Sequence, residues 1–287
     1  MKRIKLLVII SILFLTGCSL FKRDDMENIN IITTIYPLEY SLDYLYGESS
    51  TVSSIYPDDI NTNEYTLTDK QIKDNSNKDL FVYMGLTKDS DIAVELINHN
   101  KNLKLIDATF GMEYKQDVSE LWLNPSNLLM ILQNIKNGLD EYIDNAYLKK
   151  EINDRYKELK LELSELDASL KATIENANKK TIYANSKSAL FLEKYGLTVI
   201  VVDANHELYE KNLALLKEAI NDKKVTYFFR LEDTNLPEEV KALVDDDKIK
   251  EIELRDLKNI TDEERKSKET YVNITEKNID NLKKEIY

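Results

Sequence analysis

One cysteine, two histidines, six glycines and four prolines are all that this chain of 287 residues holds of those types, and each scarcity closes off a class of protein. A lone cysteine cannot form an intrachain disulfide, so stability has to come from a packed core. Six glycines leave no glycine-rich loop to cradle a nucleotide phosphate. No Ser/His/Asp set and no cysteine nucleophile with a partner base is present, so the chain is read as a non-enzyme. Positive charge is in deficit, 39 Lys and Arg against 52 Asp and Glu for a net −13. That balance argues against a nucleic-acid partner and against electrostatic adhesion to anionic lipid. The apolar stretch Leu6 to Leu15 is about half the ~20 residues that a membrane-spanning helix needs.

What is there begins at the N-terminus. Lys2, Arg3 and Lys5 precede that apolar stretch, which ends in Leu15-Thr16-Gly17-Cys18. A basic segment, a short apolar segment and small residues before a cysteine form a bacterial lipoprotein signal. Residues 1–17 are therefore expected to be a removed signal peptide, with Cys18 lipidated and the mature protein extracytoplasmic on the bacterial cell membrane. Loss of Lys2, Arg3 and Lys5 would take the net charge to −16. Residues 18–28 are polar and aperiodic, as a tether should be.

From Ile29 onward β-branched runs alternate with helical periodicity. Strands are expected at 29–35, 51–55, 80–84 and 104–107, with helices at 37–45, 68–76 and 91–98 between them. Residues 126–178 contain no proline and carry two apolar stripes, Leu128, Ile131, Ile135, Leu139 and Ile143, then Tyr156, Leu159, Leu163, Leu166 and Leu170. Residues 145–177 read as one rigid helix about 45 Å long, since the apolar pattern does not keep the strict heptad of a coiled coil. Alternation then resumes, with strands at 180–183, 198–202, 225–229 and 249–254 and helices at 188–194, 209–221, 237–243 and 269–286. The predicted architecture is α/β: two (β/α) lobes with parallel sheets, 29–140 and 179–287, joined by one long rigid helix within 141–178.

Particular segments carry a family resemblance. Thr34-Ile35-Tyr36-Pro37-Leu38, Tyr56-Pro57-Asp58-Asp59 through Asn63-Glu64-Tyr65-Thr66, Asp79 to Gly85 (DLFVYMG), Glu120-Leu121-Trp122-Leu123-Asn124-Pro125, Glu193-Lys194-Tyr195-Gly196-Leu197 and Tyr271 to Leu282 follow one another in order. Together they resemble the metal-binding solute-binding lipoproteins of zinc and manganese ABC importers, the cluster A-I type. The resemblance implies one divalent cation held between the lobes, partnership with an ABC permease and its ATPase, and a monomer on a lipid anchor.

In that family three histidines and one acidic residue hold the metal. The resemblance places Asn63 at the first histidine, Glu120 at the second and Asn185 at the third, with Asp256 or its neighbour Arg255 at the carboxylate. None is a histidine, and Asn63, Glu120, Asn185 and Asp256 would offer oxygen alone, a set for Ca²⁺, Mg²⁺ or Mn²⁺ rather than for zinc. Two readings stay open here: a carrier of zinc or manganese, and a relative that has lost transition-metal binding and serves as an adhesin or partner-binding lipoprotein. In the second, Arg255 paired with Glu120 would take the place of the ion. His99 and His206 fall outside the ligand positions and read as surface residues. Trp122 reads as packing under the cleft, and Asp245-Asp246-Asp247 as a solvated helix end.

Overall fold

The computed structural model describes residues 26–58, 65–232 and 234–287. The signal segment, Cys18 and Asn63 lie outside the described residues. Among these no helix is long and apolar enough to cross a membrane.

The first sheet is built from β1 (Ile29–Thr33), β2 (Ser50–Ser54), β3 (Leu80–Tyr83) and β4 (Lys104–Asp107), all parallel in the order β2-β1-β3-β4. Ile31 and Ile32, adjacent in β1, are both buried because helices cover both faces of the sheet. The connecting helices are α1 (Tyr36–Tyr46), α2 (Asp69–Ser76) and α3 (Asp89–His99). Pro37 opens α1, and Thr68 with Gln71 closes a capping box on α2. A single turn, α4 (Glu120–Leu123), leads into α5 (Pro125–Tyr142), which starts on the Asn124 cap and Pro125.

The long helix is α6 (Ala146–Glu175), 30 residues or about 45 Å. Asn145 separates it from α5 by accepting from the amides of Tyr147 and Leu148. Its buried stripe runs Leu148, Ile152, Tyr156, Leu159, Leu163, Leu166, Leu170 and Ile174, at the three- and four-residue steps of one helix face. That stripe packs against α5 and α1 at one end and the second lobe at the other. The chain turns into the second lobe where Lys180 Nζ donates to the carbonyls of Ile174 and Glu175.

The second sheet repeats the first: β5 (Thr181–Ala184), β6 (Thr198–Val201), β7 (Tyr227–Leu231) and β8 (Lys250–Leu254), parallel, order β6-β5-β7-β8. Residues 187–195, expected as an α-helix, form a 3₁₀ segment that ends at Gly196 with φ +104°. α7 (Tyr209–Asn221) and α8 (Glu238–Asp245) cover the sheet, and α10 (Tyr271–Ile286) closes the chain. Between β8 and α10 a short helix, α9 (Asp262–Lys266), stands where no element was expected. Glu285 of α10, with a fully buried side chain, pairs with Lys179 and accepts from the amides of Thr226 and Tyr227, fixing the C-terminus to the sheet.

Candidate functional site

In a parallel sheet the connections diverge where neighbouring strands run to opposite sides, and the carboxyl ends of those strands leave a crevice. In the first sheet that point lies between β1 and β3, at Thr34, Ile35 and Met84. In the second it lies between β5 and β7, at Asn185 and Glu232. The two sets of strand ends meet across the lobe interface. A cavity of about 200 Å³ lies there, lined by Ile35, Tyr56, Met84 and Thr87–Asp89 from the first lobe, Val118 and Trp122 before α5, and Lys258 from the second lobe.

The walls are firmly positioned. Gly85 lies two residues beyond β3, and a Cβ on it would collide with the carboxylate of Asp107; its amide donates to Asp107 Oδ1 at 2.9 Å. This close approach turns Thr87, Lys88 and Asp89 into the cavity. Asp89, 6% exposed, accepts from Thr34 Oγ1 at 2.5 Å and from the Met84 amide at 3.4 Å. Burial raises its carboxyl above the usual carboxylate range, against the lowering effect of these hydrogen bonds and of Lys258. Burial, and then Asp89, push the Tyr56 hydroxyl up to about 12. Lys258 is lowered, first by burial, although Asp256, Asp89 and Asp117 all act to raise it. Trp122 does line the cavity from beneath, as expected, and also bridges the lobes: its Nε1 donates to the Asp256 carbonyl at 2.8 Å, and its own carbonyl accepts from the Tyr271 hydroxyl at 2.7 Å.

The ligand positions fare differently. Asn63 lies outside the described residues. Glu120, half-buried at the start of α4, takes the Lys115 amide on its carboxylate and lines a separate groove of about 440 Å³ with Asn124, Asn127, Phe191 and Lys194. Asn185 stands directly after β5, and its amide is already engaged within its own lobe. Oδ1 accepts from the Leu231 amide at 2.9 Å, while Nδ2 donates to Thr234 Oγ1 at 2.7 Å and to the Asn235 carbonyl at 3.2 Å. Asp256 accepts the Lys258 amide at 2.8 Å in a local turn.

The expected Arg255–Glu120 pair does not form. Arg255 Nε lies 2.6 Å from Glu232 Oε2, close but poorly aligned for a hydrogen bond, and Nη1 pairs with Glu264 of α9. Two carboxylates nearer in the second lobe outcompete Glu120 across the interface, and they hold the guanidinium above its usual range despite burial. Among the described residues no three His, Cys, Asp or Glu side chains come together as a metal-holding group. His99 ends α3 in solvent, and His206 Nδ1 caps the Leu208 amide in a surface turn.

Several site residues had no motif to announce them. Arg265 of α9 reaches across to the first lobe, its Nη1 2.7 Å from Glu39 Oε1 and its Nε 2.7 Å from Asp58 Oδ2. The Thr261–Glu264 capping box, a readable signal for α9, could have located it. Lys258 carries no such signal.

Two parallel α/β lobes, joined by one long helix and meeting over a cleft at their strand ends, define a binding protein of the solute-binding kind. Residues 31–285 match the family described as zinc-uptake complex component A, periplasmic, and the chain belongs to that family. Its members are solute carriers and not enzymes. The chain is 26% identical over 310 residues to the zinc-binding lipoprotein AdcA of Streptococcus pneumoniae, covering 99% of this chain and 61% of the relative. It thus spans about three fifths of the curated relatives it first matches. A putative metal-binding protein of Thermotoga maritima is 24% identical over 200 residues, 68% of this chain and 71% of the relative. The fold is shared with the Zn(II)-bound ZnuA-like domain of S. pneumoniae AdcA, with a TM-score of 0.75, 22% identity and coverage of 90% and 99% of the two chains. It is shared equally with the metal-dependent lipoprotein YcdH of Bacillus subtilis, with a TM-score of 0.77, 20% identity and the same coverage.

Proposed function

We propose that this chain is the extracytoplasmic solute-binding component of an ABC importer for a divalent metal, zinc or manganese. It works as a monomer, held to the membrane by a lipid on Cys18, and delivers its cargo to a permease driven by an ATPase. One observation carries the reading: a family match over residues 31–285 on a fold whose two sheets open into an interlobe cleft. The zinc named for AdcA and its ZnuA-like domain supports zinc as the cargo. The oxygen-only character of Asn63, Glu120, Asn185 and Asp256 favours a harder ion such as manganese and a weaker hold on zinc.

A second reading, a fold kept for adhesion or partner binding without transition metal, is favoured by the same donors: Asn185 and Arg255 are engaged within their own lobe. Equilibrium dialysis with elemental analysis separates the two. Stoichiometric zinc or manganese at micromolar free ion supports the importer reading, and its absence supports the second. The anchor is tested by Cys18→Ala, which should move the protein from the membrane to the soluble fraction or leave it unprocessed. An unchanged membrane fraction would refute the lipid anchor.

A further inference from the structure

The interlobe cavity has apolar walls but carries charges of both signs. Ile35, Met84, Val118 and Trp122 form the walls, and Tyr56, Asp89, Lys88 and Lys258 supply most of the polar groups. Such a lining does not fit a divalent metal: it offers one carboxylate against two ammonium groups, and among the described residues no three metal-holding side chains come together. Two of its polar groups are buried and incompletely matched. Asp89, 6% exposed, accepts from Thr34 Oγ1 and from the Met84 amide on a single oxygen, Oδ2, and no lysine or arginine nitrogen among the described residues lies within ion-pair distance of it. A buried carboxylate without a cation is costly to keep. Tyr56, 5% exposed, packs its ring edge-on against Tyr65 at 5.9 Å, while its hydroxyl makes no hydrogen bond among the described residues. Buried hydroxyls are normally paired. Lys88 and Lys258 already have partners within the chain, so they lend positive charge to the wall while Asp89 and Tyr56 are the open positions.

We propose that this cavity is a binding site for a small zwitterion, an apolar α-amino acid, whose ammonium takes Asp89 and whose carboxylate takes the Tyr56 hydroxyl, with its side chain against Trp122 and Met84. An ammonium brought to Asp89 compensates the charge that burial penalises, and a charge-assisted hydrogen bond from Tyr56 satisfies the acid end. Lys88 and Lys258 then favour the carboxylate over a second cation. Size narrows the class further. At about 200 Å³ the cavity falls below the roughly 300–1,000 Å³ of a site for a drug-sized ligand, which leaves room for a short aliphatic side chain and excludes a peptide. A metal carried by this chain has its donors outside this cavity, so the site stands apart from the importer reading.

Trp122 is the only tryptophan of the chain and lines the cavity, so its fluorescence reads occupancy directly. The parent protein is titrated near neutral pH with L-valine, with isobutylamine, which lacks the carboxylate, and with isovalerate, which lacks the ammonium. L-Valine is expected to saturate one site at least about ten-fold more tightly than either analogue, because each analogue loses one charged contact. Tyr56→Phe should weaken L-valine about three- to ten-fold and Asp89→Asn at least about ten-fold, with thermal melts of both variants as a check on folding. Should Asp89→Asn fail to fold, the analogues on the parent carry the same test. Isobutylamine as tight as L-valine would make the site a cation's, and isovalerate as tight would make it an anion's. Either result overturns the proposal, as does a lack of saturation by about 10 mM or full affinity in Tyr56→Phe. Dialysis against zinc chloride and manganese chloride reads the importer proposal separately: L-valine bound without metal upholds the site and refutes the metal importer, and metal bound without L-valine does the reverse.

Discussion

Removal of Arg265 isolates the contact that fastens the second lobe to the first. Its guanidinium lies 2.7 and 3.4 Å from the two oxygens of Glu39 and 2.7 and 2.8 Å from those of Asp58. The side chain of Glu39 is 5% exposed, that of Asp58 24% and that of Arg265 41%. Truncating one partner of a fully buried pair costs about 3–5 kcal/mol because the other charge is left uncompensated. Water reaches the outer half of this clasp, so roughly 2 kcal/mol is the figure for Arg265→Ala. In a two-lobed chain of this size that corresponds to a fall of about 4–8 °C in Tm. Urea unfolding of the parent, Arg265→Ala, Glu39→Gln and the double variant completes a cycle, in which a coupling of at least about 1 kcal/mol is expected. Salt at about 1 M should shrink the share due to Asp58 more than that due to Glu39. A single-variant loss below about 0.5 kcal/mol, or strict additivity in the cycle, would refute the clasp.

Asn185→Asp keeps the shape but removes both Nδ2 donors to Thr234 and Asn235, and should cost about 2 kcal/mol in urea melts; a loss of a few tenths would show the staple is incidental. Leu159→Ala, in the fully buried stripe of α6, should cost about 2–5 kcal/mol by thermal or urea unfolding. Small-angle scattering with and without zinc should give nearly the same radius of gyration, because α6 has no internal glycine or proline to act as a hinge; a change of several ångströms would contradict it. Asp89 is raised in the folded state by burial, so its contribution to stability is full below the unfolded carboxylate value and is lost as pH rises through the folded one. Asp89→Asn should therefore flatten the decline in Tm as pH rises above the ordinary carboxylate value of about 4, and an unaltered slope would count against the raised carboxyl.

The scaffold was largely legible because its signals are local and periodic. The Leu159-Leu163-Leu166-Leu170 spacing marked α6 within two residues of its observed ends, and the β-branched runs Ile29–Thr33 and Thr198–Val201 fell on strands. The 3₁₀ geometry of 187–195 was not legible, since its apolar positions Ala189, Leu192 and Tyr195 recur every third residue, a spacing that an α-helix also shows. The cleft was harder still. The resemblance located the loops but not the hydrogen bonds inside them, and nothing in the sequence tells that the Asn185 amide is saturated by the β7–α8 connection. Arg255 illustrates the same gap: a motif position suggested Glu120 as its partner, whereas Glu232 and Glu264 lie nearer and on the same lobe.

An arginine clasp joins the two lobes without histidine. A metal that joins two lobes does so by supplying positive charge to donors on each side, and any fixed cation that reaches both sides can do part of that work. This chain places one at the interface, Arg265 against Glu39 and Asp58. It comes from the connection between β8 and α10, the segment that carries the carboxylate ligand in the resemblance. The stiff α6 stripe then has little left to do but hold the two sheets at a fixed distance, and the Trp122 bridge to the Asp256 carbonyl and the Tyr271 hydroxyl pins that distance at the cleft itself.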